Sequence, residues 1–149
     1  MSAQSISVLA LTLVASGIVA ESRLVGFYGA QATVQGQKVM GAAVMQAASG
    51  DVLGVVTRGT AVVETGAAIA EGDSLITDSQ GRAVPATFGQ TVLGGVIVCQ
   101  TGRCFKDGNL DVGENGGAVG MIKSDEHVFG HALSTAKGEG GFIEVLLCR

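Results

Sequence analysis

Residues 47–85 read AASGDVLGVVTRGTAVVETGAAIAEGDSLITDSQGRAVP. Short β-branched runs alternate there with turn residues. Ser49-Gly50-Asp51 leads into Val52-Leu53-Gly54-Val55-Val56-Thr57, and Arg58-Gly59 predicts a tight break before Thr60-Ala61-Val62-Val63-Glu64. Thr65-Gly66 and Glu71-Gly72-Asp73 are further turns around residues 67–70. Ser74-Leu75-Ile76-Thr77 is another strand, and Asp78-Ser79-Gln80-Gly81 turns into Arg82-Ala83-Val84. β-branched runs punctuated by Gly, Asp and Ser predict an antiparallel meander. The stretch shows no nucleophile, acid–base pair or phosphate loop, so the best-organised part of the chain reads as scaffold and function falls to surfaces.

Outward from this block, residues 5–14 predict a first strand that is apolar on both faces. Such a run is usually buried on both sides, which leaves one side here to another subunit. Residues 23–28 (RLVGFY) predict a second strand. Residues 38–44 (KVMGAAV) are a strand with Gly41 as a bulge, or a short helix over 39–48, because Ala and Met favour helix. Residues 90–99 are a strand interrupted by Gly94-Gly95. Residues 100–120 are rich in Gly, Asp and Asn and predict a long exposed loop, a kind usually functional or disordered. Residues 118–123 and 127–133 are candidate strands, and 142–147 close the sheet. No period of 20 to 50 residues is visible, which argues against a solenoid.

With 149 residues the chain suffices for one domain with a buried core. It is 47% hydrophobic but only 4% aromatic and lacks Trp, so Val, Ile, Leu and Ala must build that core. Its 24 glycines sit between β-branched runs, as many tight turns require. Nine basic residues against 13 acidic ones are scattered. Phosphate neutralisation needs clustered Lys and Arg, so nucleic acid is excluded as a partner. A weakly charged, apolar chain points to a partner that covers part of its surface. Three cysteines, Cys99, Cys104 and Cys148, cannot all pair, which fits a reducing cytoplasm and buried small hydrophobes. The apolar run 6–20 is too short to span a bilayer, and residues 1–5 lack the positive charge of a signal peptide. No membrane association is expected.

The candidate chemistry is thin. Cys99, Cys104, His127 and His131 have the residue types of a zinc site, but His127 lies far from Cys104 for a finger. Asp107, Asn109 and Asp111 alternate as in a calcium loop, yet Val112 and Ala118 stand where that loop needs Gly and Glu. Ser134 is near His131 in sequence only, and no G-x-S-x-G elbow is present. Residues 138–141 lack the Lys-Ser/Thr of a phosphate loop. Glu64, Glu71, Asp73 and Asp78 adjoin turns, where solvation accounts for them better than paired-carboxylate chemistry. The reading is therefore not an enzyme, with no cofactor and no metal.

The block 50–84 and the ending Gly130-His131-Ala132-Leu133 with residues 141–147 (GFIEVLL) carry a resemblance. The rhythm G-x-A-V-V-E-x-G-A-A-I-x-x-G, then D-x-x-G-R-A, then G-x-A-L and a closing I-E-V-L-L resembles tailed-phage capsid decoration (cement) proteins. Residues 1–85 and 129–149 fit it; 86–128 look like an insertion. The resemblance implies no catalytic residue. It implies a virion protein on the capsid exterior, in the host cytoplasm before assembly, that binds the major capsid protein and stabilises the head. It also implies a homo-oligomer, a trimer first and a dimer next. The fold expected is mainly β: a compact antiparallel barrel or sandwich in one domain, with an apolar arm (1–20), a meander (21–85), an insertion (86–128) and closing strands (129–149). The candidate interaction residues are Ser5, Ile6, Val8, Leu9, Leu11 and Leu13 of the arm and Phe142, Ile143 and Val145 of the last strand. Two alternatives are a secreted or surface β-domain with a cleaved N-terminal signal and a small metal-binding domain. An intact N-terminus by mass spectrometry removes the first, and absence of zinc removes the second.

Overall fold

The computed structural model describes residues 4–86 and 126–148, and the backbone of four strands between residues 92 and 110. The chain divides into two compact units, one of residues 1–86 with 126–149 and one of residues 87–125. In the first unit the strands are β1 (Ser7–Val14), β2 (Leu24–Val25), β3 (Gly41–Ala43), β4 (Val52–Glu64), β5 (Ser74–Thr77) and β6 (Ala83–Pro85). The second holds β7 (Val92–Leu93), β8 (Val96–Val98), β9 (Cys104–Lys106) and β10 (Asn109–Leu110). The first is completed by β11 (Gly130–Ala132) and β12 (Phe142–Leu147). The protein is mainly β. Its first unit is one eight-stranded antiparallel sheet in the order β2-β3-β4-β12-β11-β5-β6, with β1 added on β4. The second unit has its own sheet in the order β10-β9-β8-β7. Within the expected loop over 100–120, β9 and β10 form paired strand instead; the rest of that stretch, the strand expected over 118–123, and the side chains of Cys99 and Cys104 lie outside the described residues.

Two expectations are corrected here. Arg58-Gly59 is not a break: β4 runs unbroken for 13 residues. Gly59 has φ +107°, and the register of β1 against β4 shifts nearby, so the glycine absorbs an irregularity inside a strand. Nor is the block a meander, because β12 and β11 lie between β4 and β5. The second half of β4 pairs with β12 from Phe142↔Glu64 to Leu147↔Gly59. Ile143 and Val145 thereby join Ala61 and Val63 in one core cluster. That ladder occupies the place next to β4, so β5 pairs with β11 instead. Of residues 38–48 only Gly41–Ala43 form strand (β3) and none form helix, and of residues 23–28 only Leu24–Val25 pair as strand.

The core explains the unbroken apolar runs. Leu24, Ala42 and Val56 enter one cluster. Their neighbours Val25, Ala43 and Val55 enter another on the opposite side of the sheet. Side chains alternate across a strand, so consecutive buried residues require both faces to be covered.

An internal repeat, not visible as a period, organises the first unit. Val19 and Ala47 exchange both backbone hydrogen bonds at 2.9 Å, and Ile69 and Ala136 do the same at 2.9 Å. Asp51 accepts from Ala15, and Asp73 from Ala132, through their carbonyls. The N–H of Gly50 donates to Ala15 and that of Gly72 to Ala132, both at 2.8 Å. Asp51 and Asp73 each bind the N–H of the residue three before them, Ala48 and Ala70, through a carboxylate oxygen. Between each such pair lies a glycine of positive φ, 91° at Gly50 and 88° at Gly72, as an Asx-type turn admits. Leu24↔Ala42 in the first copy corresponds to Phe142↔Glu64 in the second. Thus β1, β2, β3 and the first half of β4 match β11, β12, the second half of β4 and β5.

Candidate interaction surface

Strand β1 is held along β4 from Ser7↔Gly59 to Val14↔Val52. The arm's backbone is thereby fixed by its own chain. Its side chains are another matter. Ile6, Val8, Leu9, Leu11 and Val14 are exposed, Val8 by 76%, while Leu13 is half-buried against the second core cluster. Ser5 donates a weak 3.4 Å hydrogen bond to the Thr60 carbonyl, and Ile6 donates its N–H to the Thr60 hydroxyl. The strand thus presents uncharged apolar side chains on both faces of a fastened backbone. Soluble monomers rarely leave such a contiguous apolar strip open.

Beyond Ser5 the strip meets an open groove of about 470 Å³. Ala42, Ala61 and Val56 are buried residues of its lining, and Val44 and Phe142 are exposed ones. Small residues make room there, and Glu21 and Ser22 add a polar corner. A groove of this make-up suits an apolar side chain or a short extended segment better than a charged metabolite.

Alternation divides the closing strand. Phe142 is 59% exposed and Leu146 is exposed, whereas Ile143 and Val145 are fully buried. Ile143 and Val145 therefore belong to the core and leave the list of interaction residues. Leu146 joins Phe142 on the outer face; the period-2 pattern carried that signal.

Among the described residues the candidate chemical groups are not brought together. Glu64 accepts from Arg23 at 2.7 Å, and Arg23 also donates to the Gln80 carbonyl at 2.7 Å. Asp78 binds Arg82 at 2.8 Å and caps the backbone N–H of Gln80 and Arg82. That hydrogen bond, against some desolvation, raises the Arg82 pKa, so the guanidinium stays charged. These carboxylates lock loops to the sheet. His131 faces the Ser74 hydroxyl at 3.3 Å, and the Ser134 oxygen accepts the Glu144 N–H rather than meeting His131. Burial pushes the Cys148 thiol above its ordinary value, away from thiolate reactivity. Among the described residues no group of three or more His, Cys, Asp or Glu side chains gathers as a metal site, and no helix is long and apolar enough to cross a membrane.

Among the described residues an all-β scaffold carries uncharged apolar side chains beside a groove, the make-up of a structural binding protein. The comparisons give the family. The phage cement protein model matches residues 3–104, and the chain belongs to that family of structural, capsid-associated virion proteins. The match runs through residues 86–104, part of the segment that resembled an insertion, and stops before the closing strands. Among solved structures, the chain is similar to the head fiber gp8.5 N base of bacteriophage phi29, at a TM-score of 0.58 and 19% identity, over 94% of this chain and 93% of that one. At that identity the likeness speaks for the fold. No curated protein matches the chain.

Proposed function

We propose that the protein binds the outer surface of an assembled phage head, against the major capsid protein, and stabilises the shell as a decoration protein. The observation that carries this reading is the exposed, uncharged strip of β1 continuing into the groove beside Phe142. Burying such a strip on the lattice removes apolar area from water, at about 25 cal/mol per Å² before the costs of association. The protein waits in the host cytoplasm until a head is ready. Copies associate with one another, and the family resemblance favours a trimer, with a dimer next.

The test uses purified bare heads and the variant Val8→Asp/Phe142→Asp. Both side chains are exposed, so the fold should survive, as circular dichroism will show. Occupancy on heads, read by cryo-electron microscopy, should fall sharply. Full occupancy by the folded double variant would place the capsid contact elsewhere and overturn this reading of the surface.

A further inference from the structure

The second half of the internal repeat shows what covers a strand edge that the first half leaves without a strand partner among the described residues. Strand β11, the counterpart of β1, is paired on both edges. One edge meets β5, through Gly130↔Leu75 and His131↔Ser74. The other meets β12, through Gly130↔Leu147, His131↔Leu146 and Ala132↔Val145. Strand β1 keeps the first partner only: Leu13↔Leu53 and Val14↔Val52 on β4 match the β11·β5 pairs. The strand that should return along its other edge, the counterpart of β12, is β2, and β2 ends at Val25. The chain then folds into a turn in which Gly29 donates its N–H to the Gly26 carbonyl at 3.2 Å. Gly29 touches the end of β1 alone, accepting the Ser16 N–H at 3.0 Å.

The free edge can be assigned residue by residue. Ala15 donates to the Asp51 carbonyl, so its N–H faces the β4 side. In an antiparallel ladder the facing alternates. Leu13 and Leu11 therefore turn their backbone groups toward β4, while Thr12 and Ala10 turn theirs away. Val44 donating to the Gly54 carbonyl from β3 fits the same phase on β4. Among the described residues β1 pairs with β4 alone. Natural edge strands are protected by Lys, Pro or inward charges. Residues 2–20 contain none of these, and the register irregularity that β1 does carry lies at its start, between Ser7 and Ala10.

We infer that the outer edge of β1 pairs antiparallel with β1 of a second copy of this chain, closing a two-fold dimer. The strand that fills the equivalent place on β11 is extended, antiparallel and mostly apolar. β1 is itself such a strand. A two-fold through Leu11 sets Ala10 of each copy opposite Thr12 of the other, so their outward N–H and C=O groups satisfy one another. Such self-complementary contacts are the usual form of a two-copy assembly. The inference favours the dimer over the trimer and concerns the edge of β1, whereas capsid binding was assigned to side chains on its faces.

The experiment needs no capsid, so its outcome is independent of the decoration reading. Analytical ultracentrifugation of the full chain over a concentration series should give a monomer–dimer equilibrium. Thr12→Pro removes an outward N–H and spares the β4 ladder, as edge prolines do. It should raise the dimer dissociation constant about tenfold or more, because the two-fold repeats the lost bond on both strands. Its monomer should melt close to the unsubstituted protein. Should Thr12→Pro fail to fold, hydrogen exchange at the Thr12 amide of the unsubstituted protein decides: slow when concentrated and fast when dilute supports the pairing. A monomer at all concentrations, a trimer, or a dimer whose Thr12 amide exchanges freely would overturn it.

Discussion

At the scale of single residues, two positions show how this sheet is held and how far a sequence can be read. Gly59 was legible as a special position, but a glycine between β-branched runs marks a turn and a strand irregularity equally well. Only the ladder from β12 distinguishes them, and β12 lies about 80 residues further along the chain. A Cβ at Gly59 would collide with the Ile6 carbonyl oxygen and the Val8 nitrogen, and φ +107° is a region side chains rarely adopt. Gly59→Ala should destabilise the fold by about 1–3 kcal/mol and loosen the start of β1 first. Denaturant melts give the first quantity and amide exchange at Val8 the second; a variant as stable as its parent would mean the backbone relaxes freely there. Thr65 carried no signal in the sequence beyond its place before a glycine. It is fully buried, donates its hydroxyl to the Gly138 carbonyl at 2.7 Å and accepts the Gly141 N–H at 3.1 Å. Thr65→Val keeps the shape but strands both partners, so a loss of about 1–3 kcal/mol is expected in the same melts. A loss below about 0.5 kcal/mol would show that water replaces the hydroxyl.

At the scale of elements, strands were legible where local pattern sufficed and illegible where pairing was remote. β1, β5 and β12 lie in apolar runs rich in β-branched residues and leucine and stand where the sequence placed them. Their neighbours do not follow, because sheet order depends on contacts far apart in the chain, which local runs do not encode. The assignment of Ile143 and Val145 to a surface ignored the pleat; the same six residues, read with period 2, separate them from Phe142 and Leu146. The repeat was also partly legible: Ala48-Ser49-Gly50-Asp51 and Ala70-Glu71-Gly72-Asp73 share Ala-x-Gly-Asp before a buried leucine two residues on, Leu53 and Leu75. Its other halves are too divergent to be seen without their hydrogen bonds. Deleting residues 2–13 is a poor test of function, since it removes the partner of β4 together with the apolar strip. Excision of 87–125 is cleaner. Those residues form a separate unit, and on the far side of the cut His127 donates to the Gly36 carbonyl at 2.9 Å. With a short Gly/Ser linker joining residues 86 and 126, the first unit should keep its β spectrum and melt within a few degrees of the intact protein. A broad, early melt would show that its core needs residues 87–125.

At the scale of the whole molecule, a decoration protein acts by number. In the decoration role proposed above, each copy contributes a binding energy set by the apolar area that the β1 strip and the groove bury. A shell expands only by breaking many such contacts at once, so small increments add up over a lattice. A capsid-associated role was legible in the motif rhythm of residues 50–84, 130–133 and 141–147. The sequence could not point to the groove, whose lining comes from the arm, the turn before β2 and strands β3, β4 and β12. If stabilisation and binding share that surface, they must fail together. Heads saturated with the protein should rupture at a higher temperature than bare heads, by an amount that rises with occupancy. Val8→Asp/Phe142→Asp should lower occupancy and return rupture toward that of bare heads, while its own melting in solution stays close to the parent. Genome release on heating, followed by a DNA-binding dye, reads the rupture, and gel densitometry of washed heads reads the occupancy. Decorated and bare heads rupturing at the same temperature, at full occupancy, would leave a protein that binds the capsid without cementing it.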